Sequence, residues 1–151
     1  MSGSGNFFSI GEDHIQFIPP QVVLTFGYHS LAGQCFRHGS PSAYGVEMAI
    51  AHVEDAIQAE PLLRGLSPDY ASADAYLHII AGLAGAEDRL SQPQIESVFN
   101  RVADVLSGSP KRPGEYPDEA DFVSYLTIVR EISHHLNIEN IQLVGQAAHR
   151  A

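Results

Sequence analysis

The chain has 151 residues, of which 44% are hydrophobic and 17% are charged, a balance that suits one folded domain and argues against disorder. Eight Lys and Arg residues against eighteen Asp and Glu give a formal net charge of −10, which disfavours nucleic acid and anionic membrane surfaces as partners. The single cysteine, Cys35, excludes an intramolecular disulfide, and no apolar run reaches the ~20 residues that span a bilayer. We therefore expect a cytoplasmic protein.

The N-terminal part of the chain predicts β-strands. Residues 1–6 predict a flexible tail, and residues 7–151 predict a single α+β domain. Between Phe7 and Tyr28, β-branched and aromatic residues are dense and Gly or Pro interrupts each run, which predicts two or three antiparallel strands. The pair Pro19-Pro20 marks a bend or a sheet edge, because neither residue donates a hydrogen bond to a neighbouring strand.

Helices are predicted after the strands, from apolar residues at spacings of three and four. The predicted helices cover Ser40 to about Ala59, Ser72 to Ala86, the segment from Ser91 to Gly108 and the segment from Asp118 to Asn137. Residues 141–144 then predict a short last strand that joins the N-terminal sheet. The predicted fold is α+β, with a small antiparallel sheet of N-terminal strands and this C-terminal strand, packed by about four helices on one face.

Two features predict association with a second subunit. The helix predicted from Ser72 to Ala86 is apolar around more of its circumference than one neighbour needs. The helix before it places Tyr44 and Met48 beside titratable groups on its outer face, which is typical of an interface. We therefore expect a small homo-oligomeric protein, such as a homodimer, that works as a binding or accessory protein for a small-molecule or protein ligand.

The chemically richest stretch runs from Gly27 to Gly39. Within it, Arg37-His38-Gly39 resembles the signature of the histidine phosphatase family, in which that His is phosphorylated and that Arg grips phosphate. The resemblance covers three residues. It implies an alternative function, a small phosphate-handling hydrolase with His38 as the nucleophile and Arg37 as the phosphate clamp.

Two carboxylates on the helix from Ser40 are candidates for the acid of such a hydrolase. Glu47 and Glu54 are seven residues apart, so they lie two turns apart at the border of the apolar face. Carboxylates in that position suit general acid or base catalysis, or metal binding. Their separation of about 10.5 Å along the helix disfavours a metal ion shared by the two, unless a third element supplies ligands.

The predicted ligand-binding residues are His29, Cys35 and Tyr44. Cys35 lies between two histidines, His29 and His38, an order that suits a nucleophile with a neighbouring base; a small buried thiol is the alternative. We expect the segment from His29 to Glu54 to border the ligand or partner site. The cofactor stays unknown, since the sequence contains no P-loop, dinucleotide fingerprint, zincin helix or EF-hand loop.

A His/Glu metal-binding protein is a third hypothesis, although the sequence identifies no metal ligands. Glu131 and His134 have the Glu-x-x-His spacing of di-iron helical bundles, but one copy of the motif occurs. The motif falls opposite the apolar stripe of its helix, so we expect both side chains to face solvent. Asp74 and His78, four residues apart, likewise predict an exposed pair.

Overall fold

The structure is a computed structural model that describes residues 5–145. Residues 1–4 of the predicted tail and residues 146–151 lie outside this range. Within it the chain forms six strands, five α-helices and two short 3₁₀ helices, Arg37–Gly39 and Pro61–Leu63. No helix of this range is long and apolar enough to cross a bilayer.

The strands form one mixed sheet in the order β3-β2-β1-β4-β6-β5. The antiparallel pairs are β1 with β2, β2 with β3, and β5 with β6. The parallel pairs are β1 with β4 and β4 with β6. The strands are β1 (Phe7–Ile10), β2 (Ile15–Ile18), β3 (Val22–Leu24), β4 (Asp69–Ser72), β5 (Arg89–Ser91) and β6 (Asn140–Leu143).

The helices are organised around the last of them. They are α1 (Tyr28–Cys35), α2 (Ala43–Gln58), α3 (Ala75–Ala84), α4 (Gln92–Leu106) and α5 (Ala120–His135). All four of the others contact α5. Consequently α5 is buried on every side over half of its length, from Phe122 to Val129.

Alternation along the N-terminal strands separates a buried sheet face from an exposed one. Phe8 and Phe17 are buried in the core, whereas Phe7, Ile18 and Val23 are 45%, 47% and 48% exposed. The period of two places successive side chains on opposite faces. The helices therefore cover one face of β1 to β3, and the other face is open to solvent over the described residues.

The predicted small antiparallel sheet with about four helices is wrong. The prediction missed β4, which pairs in parallel with both β1 and β6 and so makes the sheet mixed. Its sequence, Asp-Tyr-Ala-Ser, contains no β-branched residue, so the pattern does not indicate a strand. The prediction also missed β5 and the helix α1 within the stretch from Gly27 to Gly39.

Candidate functional site

Polar side chains gather where the parallel strands β1 and β4 end. The connection after β1 leads to β2 on one side of the sheet, and the connections after β4 lead towards β6 on the other. In open sheets, ligands bind outside the carboxyl ends of the strands where the direction of the connections reverses. We call this region the carboxyl-end site and define it by Glu12, Tyr28, His29, Asp74, Tyr76, Asp121 and Tyr125.

Asp74 is the central carboxylate of this site. Its Oδ2 accepts a 2.6 Å hydrogen bond from the Tyr125 hydroxyl and a 2.9 Å bond from the Ile10 backbone N–H. Its Oδ1 accepts a long contact of 3.4 Å from the Ser9 hydroxyl. Burial raises the pKa of Asp74, although the hydrogen bonds that its carboxylate accepts oppose the shift. Asp74 is therefore a carboxyl group that binds a proton more readily than usual, and Oδ1 is the oxygen with the longer hydrogen-bond contact.

Three tyrosines surround Asp74. The ring of Tyr28 contacts those of Tyr76 and Tyr125 edge to face, with centroids 5.2 Å and 6.0 Å apart. Burial raises the pKa of each of the three phenols, and a hydrogen bond to Glu119 raises that of Tyr76 further. At neutral pH all three hydroxyls therefore carry their proton, which Tyr125 donates to Asp74 and Tyr76 donates to Glu119.

His29 lies at the exposed rim of the site. Its Nδ1 is 3.1 Å from both carboxylate oxygens of Asp121. This hydrogen bond raises the pKa of His29, and the nearby carboxylates of Glu12 and Asp13 add to the effect. The rim therefore combines one imidazole with several carboxylates.

The turn between β1 and β2 occupies the N-terminal end of α1. Backbone N–H groups of Tyr28 and His29 donate to the carbonyls of Gly11 and Glu12, at 2.9 Å and 3.0 Å. The N–H groups at a helix N-terminus often bind phosphate, but those of α1 already donate to carbonyl groups of the β1–β2 turn. With the surrounding carboxylates, this arrangement favours a cation, or an anion accompanied by a cation, over bare phosphate.

Some of the residues predicted from the sequence line a separate cavity. Cys35, Arg37 and Tyr44 border a cavity of about 410 Å³ together with serines 40 and 42. Burial raises the pKa of the Cys35 thiol, which disfavours the reactive thiolate. The guanidinium of Arg37 forms no ion pair with residues 5–145.

The other predicted site residues do not join that cavity. His29 belongs to the carboxyl-end site, and Glu54 contacts α5. Glu47 is exposed on α2, and His38 is exposed with a left-handed backbone φ of 56°. The stretch from His29 to Glu54 thus contributes to several surfaces, and the catalytic roles predicted for its residues stay predictions.

The sequence predicts exposed positions for Asp74 and Glu131, and the structure differs for both. Asp74 does not pair with His78; the sheet edge and Tyr125 hold it, while His78 Nε2 lies 2.9 Å from the Val144 carbonyl oxygen. Glu131 was expected to face solvent and is 1% exposed. His134, the histidine of the same Glu-x-x-His motif, is exposed as predicted.

Glu131 instead belongs to a cluster between α2 and α5. His135 Nε2 lies 3.0 Å from Glu54 Oε2 and 3.1 Å from Glu131 Oε1. Arg130 donates a 2.6 Å hydrogen bond to the other oxygen of Glu131. We call Glu54, Glu131 and His135 the α2–α5 cluster.

Comparison by sequence finds no matching family model and no matching curated protein. Comparison by structure finds the type II variant of the Ppx/GppA phosphatase of Aquifex aeolicus, with a TM-score of 0.74 and 11% identity over 96% of this chain and 55% of that one. A structure of the Aquifex aeolicus PPX-GPPA enzyme matches with a TM-score of 0.69 and 10% identity over 96% and 54%. An exopolyphosphatase-like protein matches with a TM-score of 0.69 and 11% identity over 93% and 55%.

These matches concern the fold. At 10% to 11% identity they show a shared architecture, the mixed sheet with its helices, in place of the small antiparallel sheet expected from the sequence. This chain spans about half the length of the solved chains that it matches. Its fold is thus similar to that of about half of the Ppx/GppA phosphatase chains.

Proposed function

We propose that this chain is a phosphate-handling hydrolase domain that acts at the carboxyl-end site. The observation that carries the proposal is Asp74, a carboxyl group with a raised pKa that follows β4 and whose Oδ1 accepts a long contact of 3.4 Å. It lies in a fold similar to that of the Ppx/GppA phosphatases and of an exopolyphosphatase-like protein. The proposed substrates are accordingly phosphate chains or other phosphoanhydrides.

Asp74 has the properties of a general base. A raised pKa brings a carboxyl closer to the working pH, where it accepts a proton more effectively in the transition state. In the proposed reaction, a water molecule gives one proton to Asp74 Oδ1 and its oxygen attacks phosphorus while the phosphoanhydride P–O bond breaks. Tyr125 and the Ile10 N–H hold Oδ2, which fixes the direction of Oδ1.

The charge of the site determines the form in which a substrate binds. A phosphate chain would meet the carboxylates of Glu12, Asp74 and Asp121. We therefore propose that the substrate enters with a divalent cation such as Mg²⁺, which neutralises phosphate oxygens and polarises the phosphorus. The protonated hydroxyl of Tyr28 is a donor for one of the remaining phosphate oxygens.

The chain is also proposed to form the homo-oligomer predicted from its sequence. Apolar side chains on the outer face of α3 support this, since Ile79 and Leu83 are 39% and 41% exposed. Light scattering of the purified protein tests this, because a strict monomer would contradict it.

The activity is tested by phosphate release from polyphosphate and from a nucleoside triphosphate, with Mg²⁺ and a protein purified without a tag. We expect Asp74→Asn to lower the rate by about 100-fold or more, since general acid and base groups contribute about 10²- to 10⁴-fold. His38→Ala is the matched control and should keep the rate. Absence of activity in the unmodified protein would refute the proposal, and loss in His38→Ala alone would assign the chemistry to Arg37 and His38.

Ligand binding at the Cys35 cavity is the second candidate function. It is favoured by Arg37, whose positive charge borders the cavity without an ion pair to the described residues. Such a guanidinium suits an anionic group of a small molecule. Titration with inorganic phosphate, followed by NMR, should move the signals of Cys35 and Tyr44 in the unmodified protein and leave them unmoved in Arg37→Ala.

A further inference from the structure

The α2–α5 cluster contains three ligand-type side chains from two helices. One atom from each of Glu54, Glu131 and His135 lies within 4.8 Å of the other two. Glu54 and His135 are 81 residues apart in the chain, so the cluster depends on the packing of α2 against α5. It lies at the other end of α5 from the carboxyl-end site and shares no residue with it.

Glu131 is buried, and its neighbours do not satisfy all the hydrogen-bonding capacity of its carboxylate. The residue is 1% exposed, and its Oε1 has no hydrogen-bond partner among the described residues. His135 Nε2 is 3.1 Å from that oxygen, but the contact lacks hydrogen-bond geometry. A buried carboxylate oxygen without a partner is costly, so this oxygen, which faces Glu54 and His135, indicates a ligand between the three.

The charges around the cluster match a divalent cation. Arg130 pairs with Glu131 at 2.6 Å and also with Glu96 at 2.9 Å and 3.1 Å, so one guanidinium serves two carboxylates. With Glu54 as the third carboxylate, the group carries two net negative charges when His135 is neutral.

The C-terminal ends of α2 and α5 add to the negative electrostatic potential at the cluster. The last residue of α5 is His135, and α2 ends at Gln58, one turn after Glu54. The carbonyl groups at a helix C-terminus carry a partial negative charge, which favours a cation.

We infer that the α2–α5 cluster binds a divalent transition-metal ion of the Zn²⁺ or Mn²⁺ class through Glu54 Oε2, Glu131 Oε1 and His135 Nε2. The nitrogen lies 3.0 Å and 3.1 Å from the two oxygens. Neighbouring ligands of an ion bound at about 2.1 Å are about 3.0 to 3.4 Å apart in octahedral or tetrahedral geometry, so these two distances already fit. The two oxygens lie within 4.8 Å of each other.

The donor set determines the class of metal. An imidazole nitrogen with two carboxylate oxygens suits Zn²⁺ or Mn²⁺, whereas Ca²⁺ and Mg²⁺ prefer oxygen ligands throughout. The side chains of Glu54 and His135 are 36% and 35% exposed, which gives the ion a route from solvent and leaves room for water ligands.

The inference is tested by isothermal titration of tag-free, chelator-treated protein with ZnCl₂ and MnCl₂. One equivalent should bind, and His135→Ala or Glu54→Gln should weaken binding by more than about 100-fold, since loss of a supporting residue alone costs about 10- to 100-fold. His134→Ala and Glu47→Gln are matched controls on the same helices and should bind as the unmodified protein does.

Other outcomes would overturn the inference. They are an absence of binding by the unmodified protein, or equal losses in the control and ligand variants. Thermal unfolding provides a second readout, because a metal that joins α2 to α5 raises the melting temperature of the unmodified protein and not that of His135→Ala. If His135→Ala fails to fold, Glu54→Gln decides, because Glu54 is half-exposed.

Discussion

Tyr125 donates a 2.6 Å hydrogen bond to Asp74, which ties the buried middle of α5 to the residue that precedes α3. The phenol is fully buried and the carboxyl group is partly buried. The bond stabilises the charged form of Asp74, but desolvation outweighs it and the pKa of Asp74 is raised. Ionisation of the Asp74 carboxyl group therefore destabilises the folded state.

The pH dependence of stability should change when Asp74 is replaced by Asn. Burial raises the pKa of Asp74 above 3.8 in the folded protein, so the folded state binds this proton more tightly than the unfolded state does. The corresponding stability is present below the unfolded pKa and is lost as the pH rises through the folded one. Urea unfolding from about pH 3.5 to about pH 8 should show the unmodified protein losing stability relative to Asp74→Asn. Parallel curves would contradict this.

Gly27 should not tolerate a methyl group. A Cβ atom at Gly27 would lie 2.0 Å from the Gly11 carbonyl oxygen and 2.5 Å from the Glu12 carbonyl carbon, both backbone atoms. We expect Gly27→Ala to lower the free energy of unfolding by about 1 to 3 kcal/mol or more. Urea unfolding measures the loss.

Gly33→Ala is the matched control for Gly27. Gly33 lies within α1, and a Cβ atom there would have no neighbour within 4 Å. Alanine at this position should leave the stability unchanged or raise it by up to about 1 kcal/mol, because helical glycine is entropically unfavourable. Similar losses in both variants would show that the approach of the β1–β2 turn to α1 is not the cause.

The imidazole of His29 should titrate above 6.5, because the hydrogen bond to Asp121 raises its pKa. Its contribution to stability is present below the unfolded pKa and disappears as the pH rises through the folded one. NMR titration of the imidazole signals measures the value, and Asp121→Asn should bring it back towards 6.5. Asp118→Asn, which removes a carboxylate three residues before Asp121 in the chain, should leave the pKa of His29 unchanged.

The carboxyl of Glu115 should titrate at an unusually low pH. Arg101 donates hydrogen bonds to both of its oxygens, and these bonds lower the pKa of Glu115 from 4.5 to about 2. The associated stability is present above the unfolded pKa and is lost as the pH falls through about 2. Carboxyl-carbon NMR should show the pKa rising in Arg101→Gln. Arg112→Gln should have a small effect, because Arg112 binds Glu115 through its backbone N–H.

The helices with one apolar stripe were predictable from the sequence. α4 begins with the capping box that Ser91 and Gln94 indicate, and its end near Gly108 follows from the sequence as well. The α2 pattern also predicts a helix close to the observed Ala43–Gln58. Such helices bury one face and expose the other, so periodicity alone reveals them.

The candidate sites could not be predicted, because each depends on a tertiary arrangement. Asp74 reads as a helix-surface residue unless β4 is recognised before it, and β4 has no strand-like sequence. Glu131 lies outside the apolar stripe of α5. A single apolar stripe predicts that one face of a helix is buried, so the pattern predicts an exposed position for Glu131. Four helices surround α5, so polar residues such as Ser124 and Thr127 are buried along with Glu131.

The central position of α5 places both candidate sites on one helix. Tyr125 and His135 lie about 15 Å apart along it, at a rise of about 1.5 Å per residue. The buried segment between them leaves little space for the helix to bend. An axial displacement of α5 as a rigid body would therefore change the Tyr125–Asp74 and His135–Glu54 separations together.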